Sequence, residues 1–179
     1  MITAVNNPIY RACLALMYAC GLRIGDAVGL PVSAVDSKEM VLRVIGKRNK
    51  ERIIPINEPT LQMLRSVWKI HRNPNWLFPR ANGEHILRNT LTRAFNSARV
   101  ACKFRSDFTT HVLRHSFATR LLEKGVPLAT IRILLGHADF RSTQVYLHLT
   151  EPIQKDVRNM LAQFFGGLFD GSAPEGGAK

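Results

Sequence analysis

The chain has 179 residues and a formal net charge of +12 at pH 7, with a pI near 10.4. This length suits one domain, and a chain of this size buries about 70% of its unfolded surface, so it needs no disulfide for stability. The excess of basic residues predicts a polyanionic partner, with DNA or RNA as the first candidates. The N-terminus lacks the features of a signal peptide, and no uncharged run approaches the length of a membrane span. We therefore expect a cytoplasmic protein with no membrane partner.

The cysteines Cys13, Cys20 and Cys102 are odd in number and have apolar neighbours. We expect reduced, buried thiols, and no metal binding, because none of them stands in a C-x-x-C pair.

A first helix is predicted to begin at Pro8, with Asn7 as its N-cap, and to stop at Gly21. Arg23 then lies in the turn after this helix, next to a short second helix that runs through Val28. The apolar residues with helical spacing in the first helix are Ile9, Cys13, Leu16, Met17 and Cys20.

Two strands are predicted over Met40–Ile45 and Arg52–Ile56, because both segments are rich in β-branched residues. The turn Gly46–Lys50 joins them, so the hairpin carries exposed cations at its tip.

Helices are predicted over Glu58–His71 and Leu87–Cys102, with the short extended segment Trp76–Pro79 between them. One side of the first of these helices is expected to carry Leu61, Leu64, Trp68 and His71.

Thr110 is the predicted cap of a helix over His111–Glu123, with Leu113, Phe117, Leu121 and Leu122 on its inner side. Gly125 ends this helix, and Val126-Pro127 opens another that runs to Leu135 and stops at Gly136.

The C-terminal part is predicted to contain a short helix capped by Ser142 that carries Tyr146, and a final amphipathic helix that begins at Pro152. Residues 166–179 are rich in glycine and small residues, which predicts a flexible tail. The apolar residues of the final helix are Ile153, Val157, Met160, Leu161, Phe164 and Phe165.

His111 and Arg114 stand three residues apart and share a helix face, which aims an imidazole and a guanidinium at one target. The alternative is an exposed polar helix face. His111 and His115 have the spacing of a zinc protease motif, but Val112 occupies the position of the glutamate base, so we expect no zinc site.

His137 follows the helix end at Gly136, and Tyr146 comes nine residues later. Two arginines can clamp a phosphate, histidines can hydrogen-bond it, and a phenol can attack it. The alternatives are a helix C-cap partner for His137 and a half-buried core residue for Tyr146.

Four stretches resemble the tyrosine recombinase (phage integrase) family, in particular its bacterial Xer-type members, in order and in spacing. They are Ala19–Asp26, Ile45–Arg52, His111–Thr119 and Leu134–Tyr146. The resemblance covers roughly residues 5 to 165, and the four linked motifs make it specific.

The resemblance implies a mainly α (α+β) catalytic domain with a small antiparallel sheet, over residues 1–165. It implies a site-specific recombinase that cleaves and rejoins DNA through a 3′-phosphotyrosine, without metal, ATP or another cofactor. The implied catalytic residues are Arg23, Lys47, His111, Arg114, His137 and the nucleophile Tyr146, supported by Asp26, which helps to orient Arg23, and by His115.

Lys47 is preferred to Lys50 as the general acid because it directly follows Gly46. Contacts to double-stranded DNA are expected from selected basic residues of the hairpin turn and of the chain after residue 102. These are Arg48, Lys50, Lys103, Arg105, Arg120, Arg132 and Arg141.

Family members usually carry an N-terminal core-binding domain, which we expect to be absent here, because the sequence begins just before the first catalytic-domain helix. Self-association on DNA through the C-terminal helix and an association with the nucleoid are further implications. Two other functions stay open, namely topoisomerase-like relaxation of DNA by the same chemistry and a non-catalytic DNA-binding regulator of a full-length recombinase.

Overall fold

The computed structural model describes residues 1–46 and 51–136, together with Asn159. In this part of the chain, α-helices pack with one three-stranded antiparallel sheet, which confirms the predicted fold class. None of these helices is long and apolar enough to cross a membrane. The helices are α1 (Pro8–Cys20), α2 (Ile24–Val28), α3 (Glu58–His71), α4 (Arg88–Ala101), α5 (His111–Glu123) and α6 (Leu128–Leu134), and the strands are β1 (Val35–Asp36), β2 (Val41–Ile45) and β3 (Glu51–Pro55).

Helix α1 is the centre of the core. The Asn7 side chain accepts the backbone N–H groups of Ile9 and Tyr10 at 2.9 and 3.1 Å, as predicted for its N-cap. Residues Ala12–Met17 are all buried, and α3, α4 and α5 pack around the helix. Because α1 is held on several sides, the segment that leaves its C-terminal end towards Arg23 starts from a fixed position.

The sheet has the order β1-β2-β3, and the predicted hairpin is confirmed with Leu42 opposite Ile54. The first strand of the hairpin begins one residue later than predicted, because Met40 has a φ of +54° and belongs to a turn. Strand β1 was not predicted, since its two residues are too few to show an alternating pattern.

The four helices predicted between residues 58 and 135 are confirmed, but two details of the third of them, α5, are wrong. Leu122 is 57% exposed, because Leu121 lies on the inner side of α5 and Leu122 does not. Thr110 has helical backbone angles and makes no capping hydrogen bond with its side chain. On α3, Trp68 is 37% exposed and donates its indole N–H to the carbonyl of Asn73.

Helices α5 and α6 form a smaller apolar cluster, built from Phe117, Leu121, Val126, Ile131, Leu134 and Leu135. Helix α6 also contacts β3, so its C-terminal end lies against the sheet. Cys13 and Cys20 are buried as predicted, whereas Cys102 is only half-buried. The predicted hairpin tip, the helix around Tyr146 and the tail lie outside the described residues, as does the helix beyond Pro152 apart from Asn159.

Candidate active site

Gly21 directs the chain from α1 to Arg23. It has a φ of +61°, and its N–H donates to the carbonyl of Met17. A Cβ atom at this position would lie 2.5 Å from Cδ1 of Phe117, so both the backbone angle and the packing require glycine. Arg23 then caps α2, where its carbonyl accepts the N–H groups of Asp26 and Ala27 at 3.0 Å. Its half-buried side chain makes no hydrogen bond or ion pair with another described residue.

Arg114 lies on the first turn of α5 and is 8% exposed. Its Nη1 donates to the carbonyl of Gly21 and its Nη2 to the carbonyl of Leu135, both at 2.6 Å. These carbonyls belong to the turn after α1 and to the end of α6, which are far apart in the sequence. The guanidinium therefore has one position, set by the backbone of two other segments.

Arg114 lies near two other positively charged side chains, Arg23 and Arg52. Its pKa is lowered to about 10, first by burial and then by the charges of Arg23 and Arg52, while Asp26 acts in the opposite direction. Arg114 remains charged at neutral pH. Two further guanidinium groups and one carboxylate thus act on Arg114, and the surplus of positive charge is suited to an anion such as a phosphate.

Asp26 pairs with Arg52. The Nη2 atom of Arg52 lies 2.7 Å from Oδ2 of Asp26, and the two side chains are only 7% and 13% exposed. The partner that the structure gives the Asp26 carboxylate is therefore Arg52, and the expected role of Asp26 in orienting Arg23 stays a prediction. The ion pair forms because a buried cation on β3 requires a counter-charge.

Arg52 is the residue of this cluster that sequence reasoning missed. It was expected only as the first residue of a strand. The signal was its spacing, since Arg52, Ile54 and Ile56 alternate along one inward face and are all buried. A charged residue on the apolar face of a strand requires a partner, and this requirement could have linked it to Asp26.

The phage integrase family model matches residues 1–152, which is most of the chain. The chain belongs to the phage integrase family. Similar proteins include the tyrosine recombinases XerD of Proteus mirabilis, 37% identical over 156 residues, and of Pseudomonas putida, 39% identical over 149 residues. These matches cover 81% and 79% of the chain and 50% of each relative. The chain thus spans about half the length of the curated relatives that it matches.

Solved structures show the same fold. The XerA recombinase superimposes with a TM-score of 0.68 and 25% identity, over 94% of this chain and 59% of that one. The integrase from mycobacterium phage Brujita superimposes with a TM-score of 0.71 and 23% identity, over 87% of this chain and 52% of that one. The clustered arginines therefore lie in an integrase fold.

The other predicted site residues of this chain fall into two groups. His111 and His115 are exposed on α5, and His111 lies one turn before the buried Arg114. The exposure of His115 gives it no packing role within the described chain, and its supporting role stays a prediction. Lys47, Arg48, Lys50, His137, Arg141 and Tyr146 lie outside the described residues.

The basic residues expected to contact DNA have different surroundings. Arg105 pairs with Asp107 at 3.0 Å, and both side chains are exposed. The guanidinium of Arg120 lies 4.7 Å from the centre of the Tyr18 ring, in a cation–π contact. Lys103 is exposed in the loop after α4. Their contacts with DNA stay predictions.

Proposed function

We propose that this chain is the catalytic part of a site-specific DNA recombinase, which cleaves and rejoins double-stranded DNA through a 3′-phosphotyrosine. The observation that carries the proposal is the buried Arg114, fixed by two backbone carbonyls next to Arg23 in a cluster with surplus positive charge. The N–H groups of Arg114 that the carbonyls do not use, together with those of Arg23, suit the non-bridging oxygens of a phosphodiester.

In the proposed reaction, the Oη atom of Tyr146 attacks the scissile phosphorus while the bond to the 5′ oxygen breaks. Negative charge builds up on the non-bridging oxygens, where Arg23 and Arg114 stabilise it. Lys47 gives a proton to the departing 5′ oxygen, and His111 and His137 hydrogen-bond the phosphate or accept the phenol proton. The tyrosine ester keeps the bond energy, so a 5′ hydroxyl can reverse the step without ATP.

Arginine side chains supply the positive charge that a metal ion would otherwise provide, which supports a metal-independent mechanism. Structures with the same fold include the XerH recombinase bound to its difH substrate and a lambda integrase tetramer bound to a Holliday junction. By this likeness we propose that the chain binds duplex DNA at the nucleoid and self-associates there through its C-terminal helix.

Covalent capture tests the function and identifies the site in one experiment. The chain is incubated with fragmented genomic DNA of its source, denatured in detergent and purified, and the DNA that remains attached is sequenced. We expect one recurring sequence with wild type and none with Tyr146→Phe. Tyr10→Phe is the matched control, because it removes another phenol of the chain and should leave capture unchanged.

Other outcomes would favour other functions. Relaxation of a supercoiled plasmid that lacks any recovered site would indicate topoisomerase-like activity. Equal DNA affinity of wild type and Tyr146→Phe, with no adduct from either protein, would indicate a non-catalytic regulator.

A further inference from the structure

Arg52 carries a buried positive charge in a place where apolar residues would otherwise pack. It shares the inward face of β3 with Ile54 and is 7% exposed. Burial of a cation is costly, and an apolar residue of similar volume often gives equal or greater stability. A need for folding alone therefore does not account for an arginine at this position.

Three segments of the chain meet at this side chain. Its Nη2 donates to Asp26 on α2 at 2.7 Å. A Cβ atom on Gly136 would lie 3.1 Å from Cδ of Arg52, so the chain passes close to Arg52 as it leaves α6 towards His137. The Nε atom of Arg52 is buried and has no hydrogen-bond partner among the described residues. Among the described residues, the Arg52 side chain thus forms its hydrogen bond with Asp26.

Asp26 is also close to the phosphate-binding arginines. It follows Arg23 by three residues, and its charge raises the pKa of Arg114. An unpaired carboxylate at this position would turn to Arg23 or Arg114 and occupy the N–H groups that an anion needs. The ion pair with Arg52 holds the carboxylate elsewhere.

We propose that Arg52 is a positioning residue, which keeps Asp26 away from Arg23 and Arg114 and so leaves these two arginines available for a phosphate. In the enzyme, this inference rests on the proposed function. The anion site itself can be tested without catalysis.

The first experiment measures the thermal stability of the 179-residue chain in sodium sulfate against sodium chloride of equal ionic strength. Wild type should gain about 5 to 10 °C at sulfate concentrations near a hundred times the dissociation constant. Arg52→Met should lose most of this gain, because the released carboxylate occupies the site. The double variant Arg52→Met/Asp26→Asn should recover it, since no carboxylate then competes.

A purely structural role predicts a different pattern, in which the double variant responds to sulfate no better than Arg52→Met. That result would overturn the proposal, as would a wild-type response from a folded Arg52→Met. Arg43→Met is the matched control, because Arg43 lies on the neighbouring strand and pairs with Asp36 at 3.3 Å, where both side chains are only half-buried. It should respond as wild type does. If Arg52→Met does not unfold cooperatively, Arg52→Gln replaces it in the same comparison, since it also removes the charge.

The second experiment measures single-turnover adduct formation on the captured DNA site at saturating protein. Arg52→Met should be about 10- to 100-fold slower than wild type, with partial recovery in the double variant. Arg52→Lys should stay closer to wild type, because its ammonium can reach the same carboxylate. A wild type that forms no adduct, together with the expected sulfate pattern, would reject the proposed function but retain the role of Arg52 at the anion site.

Discussion

Arg114 donates a hydrogen bond to the carbonyl of Gly21, a residue 93 positions earlier in the chain, at 2.6 Å. Gly21 is the C-cap of α1, and Arg23 follows it by two residues. The bond therefore joins the two segments that carry the predicted catalytic arginines. Since the second hydrogen bond of Arg114 goes to Leu135, the same guanidinium also fixes the segment that leads to His137.

Arg114→Lys should lower both stability and activity. A lysine ammonium cannot reach two carbonyls in a fork, so at least one buried carbonyl loses its donor, at a cost of about 1–3 kcal/mol. Adduct formation should fall about 100- to 1,000-fold, by analogy with the loss of an oxyanion donor. Urea unfolding and the covalent capture assay measure the two effects. Arg65→Lys is the control, because Arg65 is exposed and pairs with Glu58 at 3.5 Å, and it should change stability by less than about 0.5 kcal/mol. Equal stability of the two variants would contradict the structural role of the fork.

Gly21→Ala should destabilise the protein more than Gly125→Ala does. Both glycines have positive φ, at +61° and +79°, so both substitutions strain the backbone by about 1–2 kcal/mol. Only at Gly21 would the new Cβ atom meet neighbours, at 2.5 Å from Phe117 and 2.9 Å from Leu135, whereas the space around Gly125 is open. The difference between the losses of unfolding free energy in the two variants gives the contribution of the packing around Gly21. A difference near zero would show that Phe117 and Leu135 can move aside without cost.

Lys47 and Lys50 can be distinguished by the leaving group. Replacement of the true general acid by alanine should slow adduct formation about 100- to 10,000-fold on an ordinary phosphodiester. The same variant should act at nearly the wild-type rate on a duplex with sulfur in place of the bridging 5′ oxygen, because a thiolate leaves without a proton. We expect this pattern for Lys47→Ala and little change for Lys50→Ala. The reverse result would assign the acid to Lys50, and no rescue in either variant would remove the hairpin from this role.

The stability of the folded chain should decrease above pH 9. Burial raises the pKa of both Cys13 and Cys20 from the ordinary value of 9.0, and that of Cys20 reaches about 12 in spite of the opposing charge of Arg52. The unfolded chain releases these protons at a lower pH than the folded chain, so the stabilisation present below pH 9 is lost as the pH rises towards the folded pKa. The slope should approach about 1.4 kcal/mol per pH unit for each buried thiol.

Urea unfolding at pH 8 and at about pH 9.5 measures this decrease, because the lowered pKa of Arg114, about 10, adds most of its opposite contribution only at higher pH. Cys20→Ala should show a smaller difference between the two pH values than wild type. Native iodoacetamide labelling provides a second check, because half-buried Cys102 should react well before Cys13 and Cys20. An unchanged pH dependence in Cys20→Ala would contradict a contribution from this thiol.

The amino-acid sequence was sufficient for the order of the helices and of the two hairpin strands, and it supplied the catalytic residues that we propose. Helical spacing, Asn7-Pro8 and the glycines at positions 21, 125 and 136 are local signals, so the helix boundaries could be read almost to the residue. The motifs around Arg23 and Arg114 are also local signals, because each is complete within a few residues. Together they predicted two arginines that bind one phosphate.

The partners of these residues were decided only by the tertiary structure. Arg52 and Asp26 are 26 positions apart, and Arg114 and Leu135 are 21 apart, so no local spacing links them. Burial creates these pairings, because a guanidinium removed from water must find carbonyls or a carboxylate wherever the packed chain brings them. The sequence alone thus determined which side chains could bind a phosphate, and the packing of α1, α5, α6 and β3 decided how each of them is held.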